Sequence, residues 1–386
     1  MTGNLCVLIC IPAWGGMKEV KVSVSVRHEL SYLLSFVGSE KTVPHEFTSK
    51  RIENVLDFIA ASKESDVLYH AGDFNGSPSA YYQFDIHRDL ANILRLAYNP
   101  NIPSVVTSPS SLRMAHWVEF EGRKRQPPKL WELLPGLEKP IILTGVEHMV
   151  NSPDEYSGAY YEYDLDRTLI LFKYRGRNIL ISLSRQKGIS DVGRQGLVLG
   201  PDENWDYIYT GKPGISKTGF SWVRSYMYDS YGIAFYYEID AGKPPVRFAV
   251  FKWVKAGFQK INFVRRSDIH KGVIRFADAF KEVLESSDLL APSVLGRVRQ
   301  KIEQLTDAQL QKIVGDYLQS IELRCQKENL MSKKRFKELF TNRHYQKILS
   351  RKEMESIVIL EYIKQLLGKN QNTKLTYLPI SSDLPK

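Results

Sequence analysis

The chain has 386 residues, of which 43% are hydrophobic and 25% charged, proportions typical of a globular protein with a substantial core. Its net charge of +10 is concentrated between Arg324 and Lys369, where twelve Lys and Arg accompany five Glu. The rest of the chain is nearly balanced, which argues against a nucleic-acid reader. Cys6, Cys10 and Cys325 lack the spacing of a zinc motif, and we predict neither a metal nor another cofactor.

The N-terminus contains a short apolar run, Leu5–Trp14, followed by two glycines. The run is too short for a membrane-spanning helix but has the length of the hydrophobic region of a signal peptide. We therefore predict a signal peptide at residues 1–16 and an exported, periplasmic protein. Signal peptides carry a Lys or Arg before the apolar run, and this chain has none there. A buried first strand is the alternative interpretation.

The chain continues with predicted strands and helices. Lys18–Arg27 alternates valine with polar residues and predicts a half-buried strand. Ser49–Ala61 has apolar residues at helical spacing. Strands are predicted at Val67–Ala71 and Ala80–Ile86. A second helix, Asp89–Tyr98, ends before two prolines.

The centre of the chain predicts an antiparallel sheet. Thr168–Arg185 contains two apolar runs around a glycine-containing turn, the pattern of a β-hairpin. Its first run is apolar on both faces, so it is either sandwiched in a core or lines a cavity. In its second run, Leu180, Ser182 and Ser184 share a mixed face. Further strands are predicted at Leu112–Phe120, Pro140–Met149, Ala159–Tyr163, Trp205–Thr210, Trp222–Tyr228, Gly232–Ile239 and Val246–Val254.

Amphipathic helices follow the strands. Asp268–Glu285 has an apolar stripe that includes Phe276 and Phe280. Ser293–Leu305 continues in the same way, and a capping box at Thr306 opens a further helix. The segment 333–367 supplies two or three basic helices.

The order of these elements is similar to that of the START-like helix-grip fold. The resemblance covers roughly residues 49–290 and rests on the succession of strands that ends in Val246–Val254 and is followed by Asp268–Glu285. It implies an α+β fold in which an antiparallel sheet wraps around a long amphipathic helix and encloses a cavity for a lipid or other apolar ligand. No shared motif allows a functional residue to be carried over. The chain is also similar to exported proteins of bacteria, which implies no activity.

We therefore predict three parts after the signal peptide. An α+β antiparallel-sheet, ligand-binding domain spans 17–290, a basic C-terminal helical extension spans 291–369, and a disordered tail spans 370–386. The basic helices of 333–369 are interpreted first as an ordinary solvated face. A surface for a protein partner and a peripheral contact with an anionic membrane are the alternatives. No nucleic-acid partner is predicted.

Some local patterns resemble chemical motifs. Gly211–Thr218 superficially resembles a phosphate-binding loop, but Pro213 removes a backbone donor that such a loop needs. Asp164 and Asp166 lie on one side of an extended chain and could hold a divalent cation, although a solvated turn is preferred. His116 is interpreted as a core or rim residue rather than a base.

The segment from Arg185 to Tyr228 interleaves aromatic and charged residues and is the predicted site. Such residues suit a pocket for a ligand with an apolar body and an anionic or polar head, and Arg224 is predicted to bind the head. Half-buried packing tyrosines are the alternative interpretation. The predicted ligand-binding residues are Arg185, Asp191, Arg194, Trp205, Tyr207, Tyr209, Trp222, Arg224, Tyr226, Tyr228, Phe276 and Phe280. The two Phe are expected to face the cavity together with some of Ile170, Phe172, Trp222 and Tyr226.

The sequence thus predicts non-catalytic binding of a small hydrophobic or lipid-like ligand, with no catalytic residue and no metal ligand. Two alternatives stay open. One is a hydrolase or cyclase-like enzyme that uses Arg185, Asp191 and Arg194 at the same pocket. The other is a protein-interaction module that acts through the C-terminal helices.

Overall fold

The computed structural model describes residues 17–38, 46–64, 66–122, 126–155, 157–214, 223–328, 334–341, 344–373, 375 and 378. The described strands are β1 (Lys18–Lys21), β2 (Val67–His70), β3 (Ser79–Ile86), β4 (Leu112–Phe120), β5 (Ile141–Asn151), β6 (Ala159–Tyr160), β7 (Glu162–Tyr174), β8 (Arg177–Gln186), β9 (Arg194–Val198), β10 (Tyr207–Pro213), β11 (Tyr226–Asp240), β12 (Lys243–Phe258) and β13 (Ile261–Asn262). The described α-helices are α1 (Val24–Leu34), α2 (Glu53–Ala60), α3 (Leu90–Ala97), α4 (Leu130–Leu133), α5 (Arg266–Glu285), α6 (Pro292–Gln304), α7 (Asp307–Lys327), α8 (Lys334–Phe340), α9 (His344–Ile348) and α10 (Arg351–Leu366). The predicted signal peptide at 1–16 and most of the predicted tail lie outside the described residues.

Ten of the described strands form one large sheet. Their order is β1-β2-β3-β12-β11-β8-β7-β5-β4, with β13 paired to β12. β1 and β2 are parallel, and the other pairs are antiparallel. The predicted central hairpin is β7–β8, closed by Arg175 and Gly176, which both have positive φ, as a type I′ turn requires. β6, β9 and β10 form a separate three-stranded sheet.

Helices cover both faces of the large sheet, because alternate side chains of its central strands are apolar on both sides. Ile170 and Phe172 of β7 pack in the core that contains α1 and α2. Leu169 and Leu171 of the same strand pack in the core that contains α3, α5, α6, α7 and α10. We call these two sides the α1 face and the α5 face.

The strand predicted at Lys18–Arg27 is wrong in its second half, where α1 begins. The Ser23 hydroxyl accepts a hydrogen bond of 3.3 Å from the N–H of Val26 and so caps the helix. Val26, Leu30 and Leu33 are buried at helical spacing. Val20 lies in β1 and Val24 is 57% exposed, so Val26 is the valine that belongs to the buried stripe of α1, which continues past the predicted strand.

Two further predictions differ in detail from the structure. Tyr226–Asp240 is one continuous strand, β11, where two strands were predicted. Its pairing with β12 shifts register between Met227 and Asp229, so a bulge lies near the predicted break. The capping box at Thr306 is confirmed: its side chain accepts a hydrogen bond from the Gln309 N–H, and the Gln309 side chain accepts one from the Thr306 N–H.

The prediction of an α+β protein with a large, mostly antiparallel sheet and C-terminal helices is confirmed. The C-terminal helices pack on this sheet rather than apart from it. One hydrophobic core contains Leu295 of α6, Val314 of α7 and Val358 of α10 together with Leu169 of β7. Apolar packing is therefore continuous across the predicted domain boundary at 290 and 291, and whether the two parts unfold separately stays a prediction.

A buried ion network also joins the C-terminal helices to the segment before β10. Lys364 of α10, whose side chain is 0% exposed, donates hydrogen bonds of 2.7 Å to Asp206 and to Glu361. Asp206 also accepts hydrogen bonds from Arg324 of α7 and from Asn372, the latter at 2.6 Å. Two carboxylates and two cations balance in charge, which makes the burial of these four groups tolerable.

Candidate ligand-binding cleft

The centre of the large sheet has a strip of small side chains on the α5 face. Strand pairing sets Ser184 of β8 opposite Gly232 of β11, and Ser182 opposite Ala234. A Cβ on Gly232 would lie 2.8 Å from the Ser184 Oγ and 3.9 Å from the Lys252 Nζ, so the lysine side chain passes close to this glycine. Four adjacent small residues on neighbouring strands leave a depression in a surface that is otherwise built from Leu, Phe and Tyr.

The helices above this strip do not cover it fully. Ala234 is partly exposed, although it lies in the middle of a central strand on a face that helices cover. Tyr82 of β3, Tyr98 at the end of α3 and Phe276 of α5 are also partly exposed on this face. α5 packs on β2, β3 and β12, so its cover does not extend fully over β11 and β8. We call this incompletely covered stretch, whose floor is Ser182, Ser184, Gly232 and Ala234, the central cleft.

Two cations border the central cleft. Arg167 of β7 and Lys252 of β12 belong to the same row across the sheet, separated by Ser184 and Gly232. Lys252 donates a hydrogen bond of 2.8 Å to the Ser230 hydroxyl. Burial, and next the charge of Arg167, lower the pKa of Lys252 to about 8. No carboxylate among the described residues forms an ion pair with Lys252.

Arg167 differs from Lys252 because it has a carboxylate partner. Its Nε donates a hydrogen bond of 2.6 Å to Glu147 of β5, and its NH1 donates one of 2.8 Å to Ser182. Burial lowers the pKa of Arg167, but the charge and hydrogen bond of Glu147 outweigh it and raise the pKa. The two cations and one carboxylate leave the central cleft with one excess positive charge, which is carried by Lys252.

Aromatic side chains form a wall beside these cations. The rings of Tyr98 and Tyr236 are 5.8 Å apart, Tyr236 and Phe248 are 4.9 Å apart, and Phe248 and Phe276 are 5.5 Å apart. The Tyr98 hydroxyl lies near the hydroxyls of Ser182 and Tyr236. Burial raises the pKa of both tyrosines, so at neutral pH their hydroxyls remain protonated and can donate hydrogen bonds. The central cleft thus combines a cationic floor with an apolar and hydroxyl-lined wall.

The predicted site residues are distributed over several places. Phe276 borders the central cleft, and Phe280 is buried beside it with a ring separation of 5.0 Å. Tyr226 and Tyr228 are partly exposed at the start of β11, with rings 6.5 Å apart. Arg224 precedes them and is exposed. Trp222 lies outside the described residues.

The other predicted aromatics, Trp205, Tyr207 and Tyr209, are buried between the small sheet and the C-terminal helices. They line a pocket of about 20 Å³, which has room for roughly one water molecule. Tyr207 donates a hydrogen bond of 2.8 Å to Asp202, and the Tyr209 N–H donates one of 2.7 Å to the Tyr345 hydroxyl. Trp205, Tyr207 and Tyr209 therefore have the surroundings of packing residues.

The predicted charged residues do not converge. The Arg185 guanidinium lies 5.9 Å from the ring of Tyr231, which belongs to the α1 face. Arg194 pairs with Glu162 at 3.2 Å and more loosely with Asp191 at 3.8 Å. Arg185 and the Asp191–Arg194 pair therefore have different partners, and no described contact joins them.

The expected grouping of Phe276 and Phe280 with Ile170 or Phe172 is wrong. The two residues of α5 pack on the α5 face, whereas Ile170 and Phe172 are buried on the α1 face. The physical reason is strand alternation, since Leu169 and Leu171 are the members of β7 that point to α5.

A second polar cluster lies at the side of the sheet formed by β4, β5 and β7. His148 bonds to Asp164 at 2.8 Å and contacts Glu162 at 3.3 Å, and its ring lies 5.1 Å from that of His116. Asp164 is therefore a strand residue paired with a histidine, not part of a turn. Among the residues described, no three His, Cys, Asp or Glu side chains are placed to hold a metal ion.

Comparison of the chain with protein families, with curated proteins and with solved structures found no match. In the described part of the chain, no helix is both long enough and apolar enough to cross a membrane.

Whether the central cleft has room for a further side chain can be tested at Ala234. Ala234→Leu is expected to change the free energy of unfolding by less than about 0.5 kcal/mol, because the larger side chain enters the cleft. Ala249→Leu is the matched control, since Ala249 is 0% exposed on the α1 face and overpacking there is expected to cost about 1–3 kcal/mol. Urea unfolding measures both. Equal destabilisation by the two substitutions would mean that the space above Ala234 is already filled.

Proposed function

We propose that this protein binds, without catalysis, an amphipathic ligand with an anionic head and an apolar body in the central cleft. The head lies against Lys252, and the body lies along Tyr98, Phe276 and Tyr82. In this arrangement α5 corresponds to the long amphipathic helix of the helix-grip fold, because it supplies one wall of the cleft. The proposal keeps the sequence-based expectation of an exported protein that binds a lipid-like ligand, and moves the binding residues to the α5 face.

The observation that carries the proposal is the unpaired charge of Lys252. Keeping a cation on a covered sheet face costs free energy unless a negative group compensates it. Arg167 increases this cost, because its charge repels the ammonium. A carboxylate or phosphate that enters the cleft would accept hydrogen bonds from Lys252 and from the neighbouring serine hydroxyls. Charge-assisted hydrogen bonds of this kind are the strong ones in proteins.

The direct test compares two ligands that differ only in the head group. Laurate and dodecanol share a twelve-carbon body, and only laurate is anionic. We expect laurate to raise the melting temperature of delipidated protein, since a ligand at one hundred times its Kd stabilises the folded state by about 2.7 kcal/mol. Dodecanol is expected to bind more weakly. Native mass spectrometry of protein that has not been delipidated shows whether a ligand of this class co-purifies.

Lys252→Met is expected to weaken laurate binding about 10- to 100-fold, because one charge-assisted hydrogen bond contributes about 1.5–3 kcal/mol. Binding of dodecanol should be nearly unchanged. Lys255→Met is the matched control, since Lys255 lies on the same strand and its side chain alternates to the other face. Isothermal titration gives each Kd. If laurate binds equally well to the wild type and to Lys252→Met, the role assigned to Lys252 is wrong.

A further inference from the structure

Exposed apolar side chains gather at the end of the large sheet where β12 turns into β13. Phe258 pairs with Ile261 across the two-residue turn Gln259–Lys260, in which both residues have positive φ. Ile261 is 53% exposed and Phe263 is 40% exposed. The ring of Phe263 stacks on that of Phe258 at 4.9 Å. Because the turn is short and the ring is stacked, these apolar groups are held outward on a defined framework.

A third exposed apolar residue, Ile189, lies at the same end of the sheet and is 60% exposed. The neighbouring Ser190 N–H donates to the Met227 carbonyl, and Met227 pairs with Ala256. The Phe263 N–H donates to the carbonyl of that same Ala256. Ile189 and Phe263 are thus about three strand spacings apart, roughly 15 Å. Three large exposed apolar residues within this distance form a patch, whereas singly scattered ones are ordinary.

The charges around this patch are mainly positive. Lys187, Arg224 and Lys260 are exposed beside it. Of the acidic residues at the same end, Asp191 pairs with Arg194, Asp268 pairs with Arg265, and Asp166 lies near Lys187. We call the set Lys187, Ile189, Arg224, Lys260, Ile261 and Phe263 the β12–β13 tip. Exposed apolar groups ringed by cations complement a surface with an apolar interior and an anionic outer layer.

We infer that the β12–β13 tip docks this protein on the surface of an anionic lipid bilayer, with Ile189, Ile261 and Phe263 entering the headgroup region. The cations bind the lipid phosphates. This contact differs from the one expected at 333–369 and does not depend on a ligand in the central cleft. A second copy of the chain is the competing occupant, because an apolar patch can also pair with itself.

The test measures co-sedimentation of the full chain with vesicles of phosphatidylcholine alone or mixed with phosphatidylglycerol. We expect binding to the mixed vesicles that falls as salt rises, and little binding to phosphatidylcholine. The double variant Ile261→Asp, Phe263→Asp is expected to bind at least about tenfold more weakly, because it replaces the inserting groups by anions. Lys187→Glu with Lys260→Glu is expected to weaken binding to the mixed vesicles about as much, while leaving the stacked rings in place.

Two controls make the result specific to the β12–β13 tip. Leu323→Asp changes a residue that is 59% exposed on α7 and should leave binding unchanged. Lys337→Glu with Lys347→Glu reverses two exposed cations of the segment 333–369. If that pair abolishes binding while both tip variants bind normally, the membrane contact lies at 333–369 and the inference is overturned. Absence of binding to mixed vesicles overturns it as well. If the wild type then self-associates with rising concentration and the tip variants do not, the patch is assigned to a second copy of the chain.

Discussion

Lys364→Met is expected to lower the free energy of unfolding by about 3–5 kcal/mol, the cost of removing one partner from a buried ion pair. The substitution leaves Asp206 and Glu361 with one balancing cation, Arg324, in a site that excludes water. Lys352→Met is the matched control because Lys352 is exposed on the same helix, and its effect should stay within about 0.5 kcal/mol. Urea unfolding at neutral pH measures both.

The pH dependence of this effect identifies the unpaired carboxylate. Burial already raises the pKa of Glu361, and Lys364 opposes the rise. Without Lys364 the folded state should bind a proton at Glu361 more readily than the unfolded state does. A raised carboxyl pKa makes folding less favourable as pH rises through the titration range. The loss caused by Lys364→Met should therefore be smaller at pH 5 than at pH 8, and a pH-independent loss would contradict this account.

The same unfolding curves test the predicted division at 290 and 291. Lys364 lies in the helical extension, and its partner Asp206 lies in the predicted sheet domain. If the two parts form one cooperative unit, the single transition shifts as a whole. If they unfold separately, two transitions are seen. The buried ion network would then connect the two parts without making them one cooperative unit. The continuous packing in the α5 face favours the first outcome.

The sequence predicted most of the sheet because its signals are local. The central hairpin has a glycine-containing turn between two apolar runs, and β7 and β8 form where this pattern places them. The failure at Lys18–Arg27 has a local cause too. Four alternating valines satisfy a strand pattern, but Leu30 and Leu33 extend the apolar set at helical spacing, and burial of that longer stripe decides the structure.

The site was harder to predict, because its residues meet through pairing between distant strands. Arg167, Ser184, Gly232 and Lys252 form one row only when β7, β8, β11 and β12 are aligned in register. Two signals were nevertheless present. Ser182 and Ser184 alternate on the mixed face of the hairpin, and Lys252 is the one charge inside the apolar run Phe248–Val254. An isolated lysine in a strand buried on both faces calls for a compensating group.

The aromatic density of the segment from Arg185 to Tyr228 was a weaker guide. Residues close in sequence were treated as close in space, but Trp205 and Tyr207 pack under the C-terminal helices, whereas Tyr226 lies at the start of β11. Tyrosine occurs both in a packed core and at a partly exposed strand end, since its ring packs against apolar groups and its hydroxyl forms hydrogen bonds. Composition alone does not distinguish a half-buried packing tyrosine from one that faces a ligand.

Lys252→Met is expected to stabilise the unliganded protein at pH 7 by about 0.5–2 kcal/mol, the usual gain when an unfavourable functional group is replaced. The pKa of Lys252 is lowered from 10.5 to about 8 in the folded state. Below pH 8 both states hold the proton, and the cost of burying the charge is fully present. Between pH 8 and 10.5 the folded state releases the proton first, so the wild type gains stability relative to the variant as pH rises.

The advantage of Lys252→Met should therefore be largest at pH 7 and clearly smaller at pH 9.5, as measured by urea unfolding of both proteins. Lys255→Met should show no such convergence, because Lys255 does not lie at the central cleft. A saturating anionic ligand should reverse the order at pH 7, since it stabilises only a protein that keeps the cation. A variant that is less stable than the wild type at pH 7 without ligand would show that Lys252 is a packing residue. The unpaired charge would then no longer support a binding site in the central cleft.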